Sequence, residues 1–341
     1  MRAAVYYSNS EVRLEEVPRP EIGRGELLVK VVASGICGSD VMEWYRINKA
    51  PRILGHEIAG EVVEVSQGVD SYKPGDRVFV THHVPCYECE YCLAGNHTAC
   101  ETLHSTNFDP GGFAEYLRVP EINVRSGTLL LPDEVSYDAG TFIEPLGCVI
   151  RGQSFAGVGL GDTVLVIGSG ISGLLHIRLA RARGAGKIIA TDISPYRIDF
   201  AQKSGADVVI DAKDDVPGIV KQATDGRLAN KVIVCTTAMQ AFEQAFASVK
   251  RTGTLLLFAP TDPDVKIPLP LFSLYFKLVN IVFSYAAVAE DLIEAVDLLK
   301  TGRIKIDDMI THRFGLAEAQ KGFDLVARAE ESMKVIIEPQ R

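Results

Sequence analysis

Asp162-Thr163-Val164-Leu165-Val166-Ile167-Gly168-Ser169-Gly170-Ile171-Ser172-Gly173 is the stretch that decides the fold. Its first half is a short apolar run rich in β-branched residues, the mark of a buried strand. Its second half is G-x-G-x-x-G. Apolar residues then recur at Ile171, Leu175, Leu179 and Ala182, one face of a helix ending near Gly184 and Gly186. A second strand-like run, Lys187-Ile188-Ile189-Ala190-Thr191, ends in Asp192. A bare glycine motif is weak evidence, but between a strand and a helix it has a physical purpose. Gly168 allows the tight turn, Gly170 lets backbone approach a pyrophosphate, and Gly173 permits close helix–strand packing. The helix start, with Ile171 and Ser172, offers unpaired N–H groups to phosphate. A carboxylate at Asp192 suits ribose hydroxyls and repels a 2′-phosphate, so NAD is expected over NADP. Arg197 lies close enough in sequence to meet either a 2′-phosphate or a ribose hydroxyl.

Further strand-like runs follow at 208–210, 232–234, 254–258 and 279–283, separated by helical patterns. That alternation predicts a doubly wound parallel sheet. Upstream the pattern changes. Short strands at 26–32, 61–65 and 77–80, with turns such as Pro74-Gly75-Asp76, predict a compact, mostly β domain.

Inside that domain, Cys86, Cys89, Cys92 and Cys100 read Cys-x2-Cys-x2-Cys-x7-Cys in a polar loop. Two-residue gaps let sulfurs converge on one ion, and four thiolates make a closed tetrahedral zinc site. Seven cysteines in 341 residues do not make a disulfide scaffold. An iron–sulfur run would carry a shorter last gap followed by proline. The chain opens on the strand-like residues 3–7 without a signal-peptide pattern, and the expectation is a cytoplasmic protein. The net charge of −9 argues against nucleic-acid binding. No apolar run approaches the ~20 residues needed to cross a bilayer, so no membrane partner is expected.

Gly35-Ile36-Cys37-Gly38-Ser39-Asp40, Gly55-His56-Glu57, Glu144-Pro145-Leu146, the cysteine lobe and the dinucleotide motif together make a more specific pattern than any one alone. With them the chain resembles the zinc-dependent medium-chain alcohol dehydrogenases, in particular the branch of sorbitol, threonine and glucose dehydrogenases. The resemblance spans essentially the whole chain. It implies an α/β protein: a mostly β, GroES-like catalytic domain at residues 1–150 with a structural-zinc lobe at 86–100, a Rossmann NAD-binding domain at 151–287, and a return to the catalytic domain at 288–341. It also implies a second, catalytic zinc held by Cys37 and His56, with Glu57 and Glu144 as carboxylate ligands. Which glutamate binds at rest stays open, and Cys148 is a rival ligand. Asp40 is expected to receive the free ring N–H of His56, and Ser39 to accept the substrate's hydroxyl proton.

Two departures stand out. Many relatives carry a histidine five residues after the zinc cysteine, where this chain has Met42, which cannot carry a proton. Sorbitol dehydrogenase-like chains tend to carry arginine at the position of Ser284. Glu43, Trp44, Tyr45, His82 and His83 are candidates for the pocket wall, and an imidazole at His82 suits a hydroxylated substrate. The expected activity is reversible hydride transfer between NAD and a secondary alcohol, such as a polyol, sugar or related polar alcohol. The alternatives are oxidation of an amino alcohol, as in threonine dehydrogenases, and nucleotide binding without catalysis. The family's habit of dimers or tetramers implies a homodimer or homotetramer, with residues 269–283 as candidate interface.

Overall fold

The computed structural model describes residues 1–329 and 331–341, and the chain divides into two units. One comprises residues 1–147 and 286–341, the other residues 148–285. Among the described residues no helix is long and apolar enough to cross a membrane.

The second unit is a six-stranded sheet, every neighbouring pair parallel. In spatial order its strands are Val208–Asp211, Lys187–Asp192, Thr163–Ile167, Ala229–Val234, Val249–Leu257 and Asn280–Phe283. Numbered along the chain this order is 3-2-1-4-5-6, the doubly wound arrangement of dinucleotide-binding domains. The strand order reverses beside Thr163–Ile167, and the glycine-rich turn follows that strand directly. Val164, Leu165, Val166 and Ile167 are all buried, which is why they read as a continuous apolar run rather than an alternation. The helix Ile171–Ala182 buries Leu174, Leu175, Ile177, Leu179 and Ala180.

The first unit is built on a largely antiparallel sheet. Its central strand Leu27–Gly35 pairs with Glu57–Val65 on one side and with Lys334–Glu338 and Tyr116–Val119 on the other. Arg77–Val80 and Thr128–Leu130 extend one edge, and Ile310–Gly315 extends the other beside Lys334–Glu338. A three-stranded sheet, Glu11–Glu16, Arg2–Ser8 and Arg52–Ile53, packs its apolar side with Ile36, Phe113, Phe323, Val335 and Ile337. Two register pairs matter for function: Gly35 lies opposite both Glu57 and Ile336. The ends of three strands distant in sequence therefore meet at one place.

Candidate metal and cofactor sites

The four-cysteine lobe and the strand-end cluster are the two groups, among the described residues, whose ligand atoms converge as a metal requires. In the lobe, one sulfur each from Cys86, Cys89, Cys92 and Cys100 lies within 4.8 Å of the others. None of the seven cysteines forms a disulfide. The Sγ of Cys86 accepts from the backbone N–H of Cys89 at 3.3 Å and of Glu88 at 3.5 Å, and the Sγ of Cys100 accepts from Cys86 N–H at 3.4 Å. Burial pushes the Cys100 thiol up, but the backbone donors of Cys86 and Leu103 outweigh it and bring it to about 6. N–H···S bonds of this kind favour thiolate, the form that binds metal. Leu103, Val288 and Ala286 pack against the lobe.

The second group joins Cys37, His56 and Glu57, again within 4.8 Å of one another. Cys37 lies two residues beyond the strand Leu27–Gly35 and caps a short 3-10 turn, Gly38–Val41. Its sulfur accepts from Ser39 N–H at 3.5 Å, while its own N–H donates to Asp40 Oδ2 at 3.1 Å. This reciprocal capping explains why Gly-Ile-Cys-Gly-Ser-Asp folds locally as it does. His56 precedes the strand Glu57–Val65, and its Nδ1 lies 3.4 Å from Asp40 Oδ1. Burial alone would pull the His56 pKa down and that of Asp40 up. Their mutual attraction, with Cys37 beside His56 and Arg46 beside Asp40, wins: His56 rises well above its ordinary value and Asp40 falls below its own.

Glu57 is the most enclosed member. Its Oε2 accepts from Lys334 Nζ, and the two side chains are 1% and 0% exposed. Lys334 Nζ also lies 5.3 Å from the centre of the Phe142 ring. Gly35 makes the pair possible: a Cβ there would collide with Glu57 Oε2 and the end of Lys334. Glu144 is not one of the three converging ligands; it lies almost fully buried in the first turn of the helix Ile143–Ala156. Ser39 sits beside the cluster, held by Arg46.

His82 lies beside this cluster, its ring tilted against its neighbours, with its centre 4.8 Å from that of His56 and 3.8 Å from that of His83. Burial, then the neighbouring cations, hold His82 well below its ordinary pKa. His83 is brought down to about 4, chiefly by burial, although its Nδ1 meets Leu103 O at 2.7 Å. Both rings are therefore neutral near neutrality. Trp44 and Tyr45 are partly exposed, and Glu43 accepts from Asn9 N–H at 3.0 Å.

In the other unit the glycine-rich turn has the geometry its glycines require. Gly168 has φ +92°, and a Cβ on Gly173 would collide with the carbonyl oxygen of Gly168. Asp192 is buried at the strand tip with both oxygens engaged: Ser169 N–H donates to Oδ2 at 2.8 Å and Ser194 N–H to Oδ1 at 3.0 Å. Those two bonds fix the carboxylate next to the glycine-rich turn. Arg197 reaches towards Gly170, its Nη1 4.0 Å from where a Cβ on that glycine would stand. Gly170, Ile171 and Ser172 form the start of the helix Ile171–Ala182, where unpaired N–H groups face outward from the helix end.

Two residues of the site escaped the sequence reading. Lys334 opens the apolar run Lys334-Val335-Ile336-Ile337, and a lone charge there is the signal that could have marked it. Arg46 closes a one-turn helix with no distinguishing pattern.

The alcohol dehydrogenase GroES-like domain model matches residues 23–133, and the zinc-binding dehydrogenase model matches residues 172–301. Sorbitol dehydrogenase of Bacillus subtilis is 31% identical over all of this chain and 98% of its own length. L-threonine 3-dehydrogenase of Pyrococcus abyssi is 36% identical over 94% of this chain and 91% of its own. Among solved structures, one described as a zinc-binding dehydrogenase of Sinorhizobium meliloti bound to NADP superposes with a TM-score of 0.88 at 30% identity, covering 99% of each chain. A convergent Cys/His/Glu set, a separate four-thiolate lobe and a dinucleotide-type sheet agree with these matches. The chain belongs to the zinc-dependent medium-chain alcohol dehydrogenase family, whose members are zinc-binding alcohol and polyol dehydrogenases.

Proposed function

We propose that this protein transfers hydride reversibly between NAD and the carbinol carbon of a secondary alcohol, a polyol, sugar or related polar alcohol. The observation that carries this reading is the convergence of Cys37, His56 and Glu57 within 4.8 Å, with Ser39 and Asp40 held beside them. Mixed thiolate, imidazole and carboxylate donors, fewer than four in number, suit an open zinc site, whereas the four thiolates of the lobe suit a closed one. In our reading either Glu57 or Glu144 supplies the carboxylate at a given moment, which leaves a position of the site open. Zinc would supply a Lewis acid at the alcohol oxygen, and the nicotinamide a hydride acceptor.

The chain's own residues do the rest. Asp40 holds His56 in one orientation. Ser39 Oγ accepts the hydroxyl proton of the substrate. Met42 and Arg46 cannot take it further, so it leaves Ser39 for water, a ribose hydroxyl or a carboxylate such as Glu43 or Glu57. Gly168, Gly170, Ile171, Ser172 and Gly173 present backbone to the pyrophosphate. Asp192 and Arg197 meet the adenosine ribose. The fixed carboxylate of Asp192 favours a free 2′-hydroxyl over a 2′-phosphate, which supports NAD. The neutral His82 and His83 offer hydrogen-bonding walls for a hydroxylated substrate.

In our reading the protein is cytoplasmic and works as a homodimer or homotetramer. Support for assembly is a run of exposed apolar side chains, with Phe272 80% exposed and Leu271, Tyr275, Leu278 and Phe283 nearly as open. It flanks Asn280–Phe283, the edge strand of the parallel sheet. An uncovered strand edge with apolar neighbours invites a second copy.

An amino alcohol such as threonine is the second reading, favoured by the 36% identity to a threonine dehydrogenase. A steady-state screen of the zinc-replete protein decides between them. Polyols, sugars, threonine and simple alcohols are each offered with NAD and with NADP. Turnover of one polyol or sugar class with NAD is expected. Turnover of threonine alone would select the second reading, and no turnover with any alcohol would reject both.

A further inference from the structure

The guanidinium of Arg46 lies at the centre of the first unit's site yet touches none of the converging ligands. It closes the helix Glu43–Arg46, rests over the Tyr45 ring at 4.7 Å, and is only 13% exposed. Its Nε donates to Ser39 O at 2.9 Å. Its Nη2 donates to Ser39 Oγ at 3.1 Å and reaches Asp40 Oδ1 at 3.4 Å. Asp40 Oδ1 is the same oxygen that faces His56 Nδ1, and Asp40 Oδ2 takes the N–H of Cys37. One planar fork thus spans the hydroxyl proposed to accept the proton and the carboxylate that orients an imidazole ligand.

We propose that Arg46 is a positioning residue that locks the Ser39 hydroxyl and the Asp40–His56 pair into one unit. The inference rests on the proposed role of Ser39 and deepens it. A serine hydroxyl rotates freely unless something fills one of its sites. Arg46 fills one lone pair of Ser39 Oγ, leaving one lone pair and one O–H for substrate and proton exit. The carbonyl contact fixes the backbone of the same residue, so the hydroxyl is held from two points. Because a guanidinium is rigid and never gives up its charge, the arrangement is pre-organised before substrate arrives. Lysine, with a single flexible ammonium, cannot span three acceptors in the same way.

The test is a double-mutant cycle on the full-length, metal-loaded protein: Arg46→Met, Ser39→Ala and both together, with Arg46→Lys as a milder variant. Each is assayed for kcat and KM, for NADH binding, and, after cobalt replaces zinc, for the visible absorption bands of the metal. Arg46→Met should lower kcat about ten- to a hundredfold, the usual loss when a residue supporting a metal ligand is removed. NADH affinity should not change. The double variant should lose less than the product of the two single losses, because both changes break the Arg46–Ser39 contact while only Arg46→Met releases Asp40. The cobalt bands should shift in Arg46→Met and stay in place in Ser39→Ala. Arg46→Lys should recover part of kcat.

Additive losses in kcat, or native kcat in Arg46→Met, would overturn the proposal. If Ser39→Ala turns over at the native rate, the proton-acceptor reading fails by itself. Arg46 is then judged on the cobalt bands: a shift supports its hold on Asp40 and His56, and unchanged bands remove it. Should Arg46→Met not fold, Arg46→Lys carries the comparison with the same readouts.

Discussion

In the reading proposed above, the two candidate ligand clusters of the first unit solve different problems with different chemistry. The cysteine lobe gathers four identical donors from residues 86–100, and its own backbone N–H groups donate to the sulfurs of Cys86 and Cys100. The Cys37–His56–Glu57 cluster takes three unlike donors from the ends of paired strands and surrounds each with a separate partner. Asp40 serves His56, Lys334 serves Glu57, and the 3-10 turn serves Cys37. Symmetry and local sequence suffice where an ion is merely to be held. Where a position must stay open for substrate, each remaining ligand needs its own support, because fewer bonds share the work of placement.

The sharpest way to break this contrast is a reciprocal pair of variants. Cys37→Ser should cut turnover about a thousandfold or more, since a catalytic metal contributes several kcal/mol to the barrier, and should leave the melting temperature near native. Cys100→Ser should do the reverse, lowering the melting temperature strongly while the folded fraction keeps its specific turnover. Equal effects on both quantities would erase the distinction between the clusters.

Lys334 gives the next largest effect. Removing one member of a buried ion pair leaves the other charge unpaired, at a cost of about 3–5 kcal/mol. Lys334→Met should therefore destabilise the protein by that order in denaturant titrations, and Lys334→Met with Glu57→Gln should recover much of the loss. A Lys334→Met protein as stable as native would show that Glu57 is not held this way.

Asp192→Asn sharpens the account of the nucleotide site. Hydrogen bonds to charged groups contribute about 1.5–3 kcal/mol, so kcat/KM for NAD should fall about ten- to a hundredfold while NADP gains relative to NAD. An unchanged ratio between the two cofactors would place the discrimination elsewhere.

The last effect is confined to acid pH. His176 is buried in the second unit, its ring edge-on to Phe258 and Gln153 Nε2 donating to its carbonyl at 2.7 Å. Burial, with Arg183 nearby, brings its pKa down to about 3. Below an unfolded value of about 6.5 the unfolded chain takes up a proton on His176 that the folded protein refuses. Stability from this group is thus complete above about pH 6.5 and is lost as pH falls towards 3, by up to about 1.4 kcal/mol per unit. His176→Gln should flatten that acid limb by one proton in denaturant titrations at several pH values.

How much of this was legible follows from how local each feature is. The strand–turn–helix–strand at the nucleotide site could be read almost residue by residue, because Thr163–Ile167, Ile171–Ala182 and Lys187–Asp192 each carry their own periodicity and punctuation. The cysteine lobe was legible for the same reason. Cys37, His56 and Glu57 were found as motifs, but nothing in their spacing says that strand pairing sets Gly35 opposite Glu57. Lys334 was invisible because its partner is 277 positions away in the chain. Arg46 was invisible because a guanidinium near a serine is ordinary until one knows which atoms it meets. A residue that supports another residue leaves little trace in sequence, since its role is a geometric relation.

Two separate zinc ions with different work would be seen by locating the metal in crystals of the native protein by anomalous scattering at the zinc edge. Two peaks per chain are expected, one among Cys86, Cys89, Cys92 and Cys100, the other beside Cys37, His56 and Glu57. A peak in the cysteine lobe alone, in protein that turns over its alcohol at full rate, would contradict this expectation.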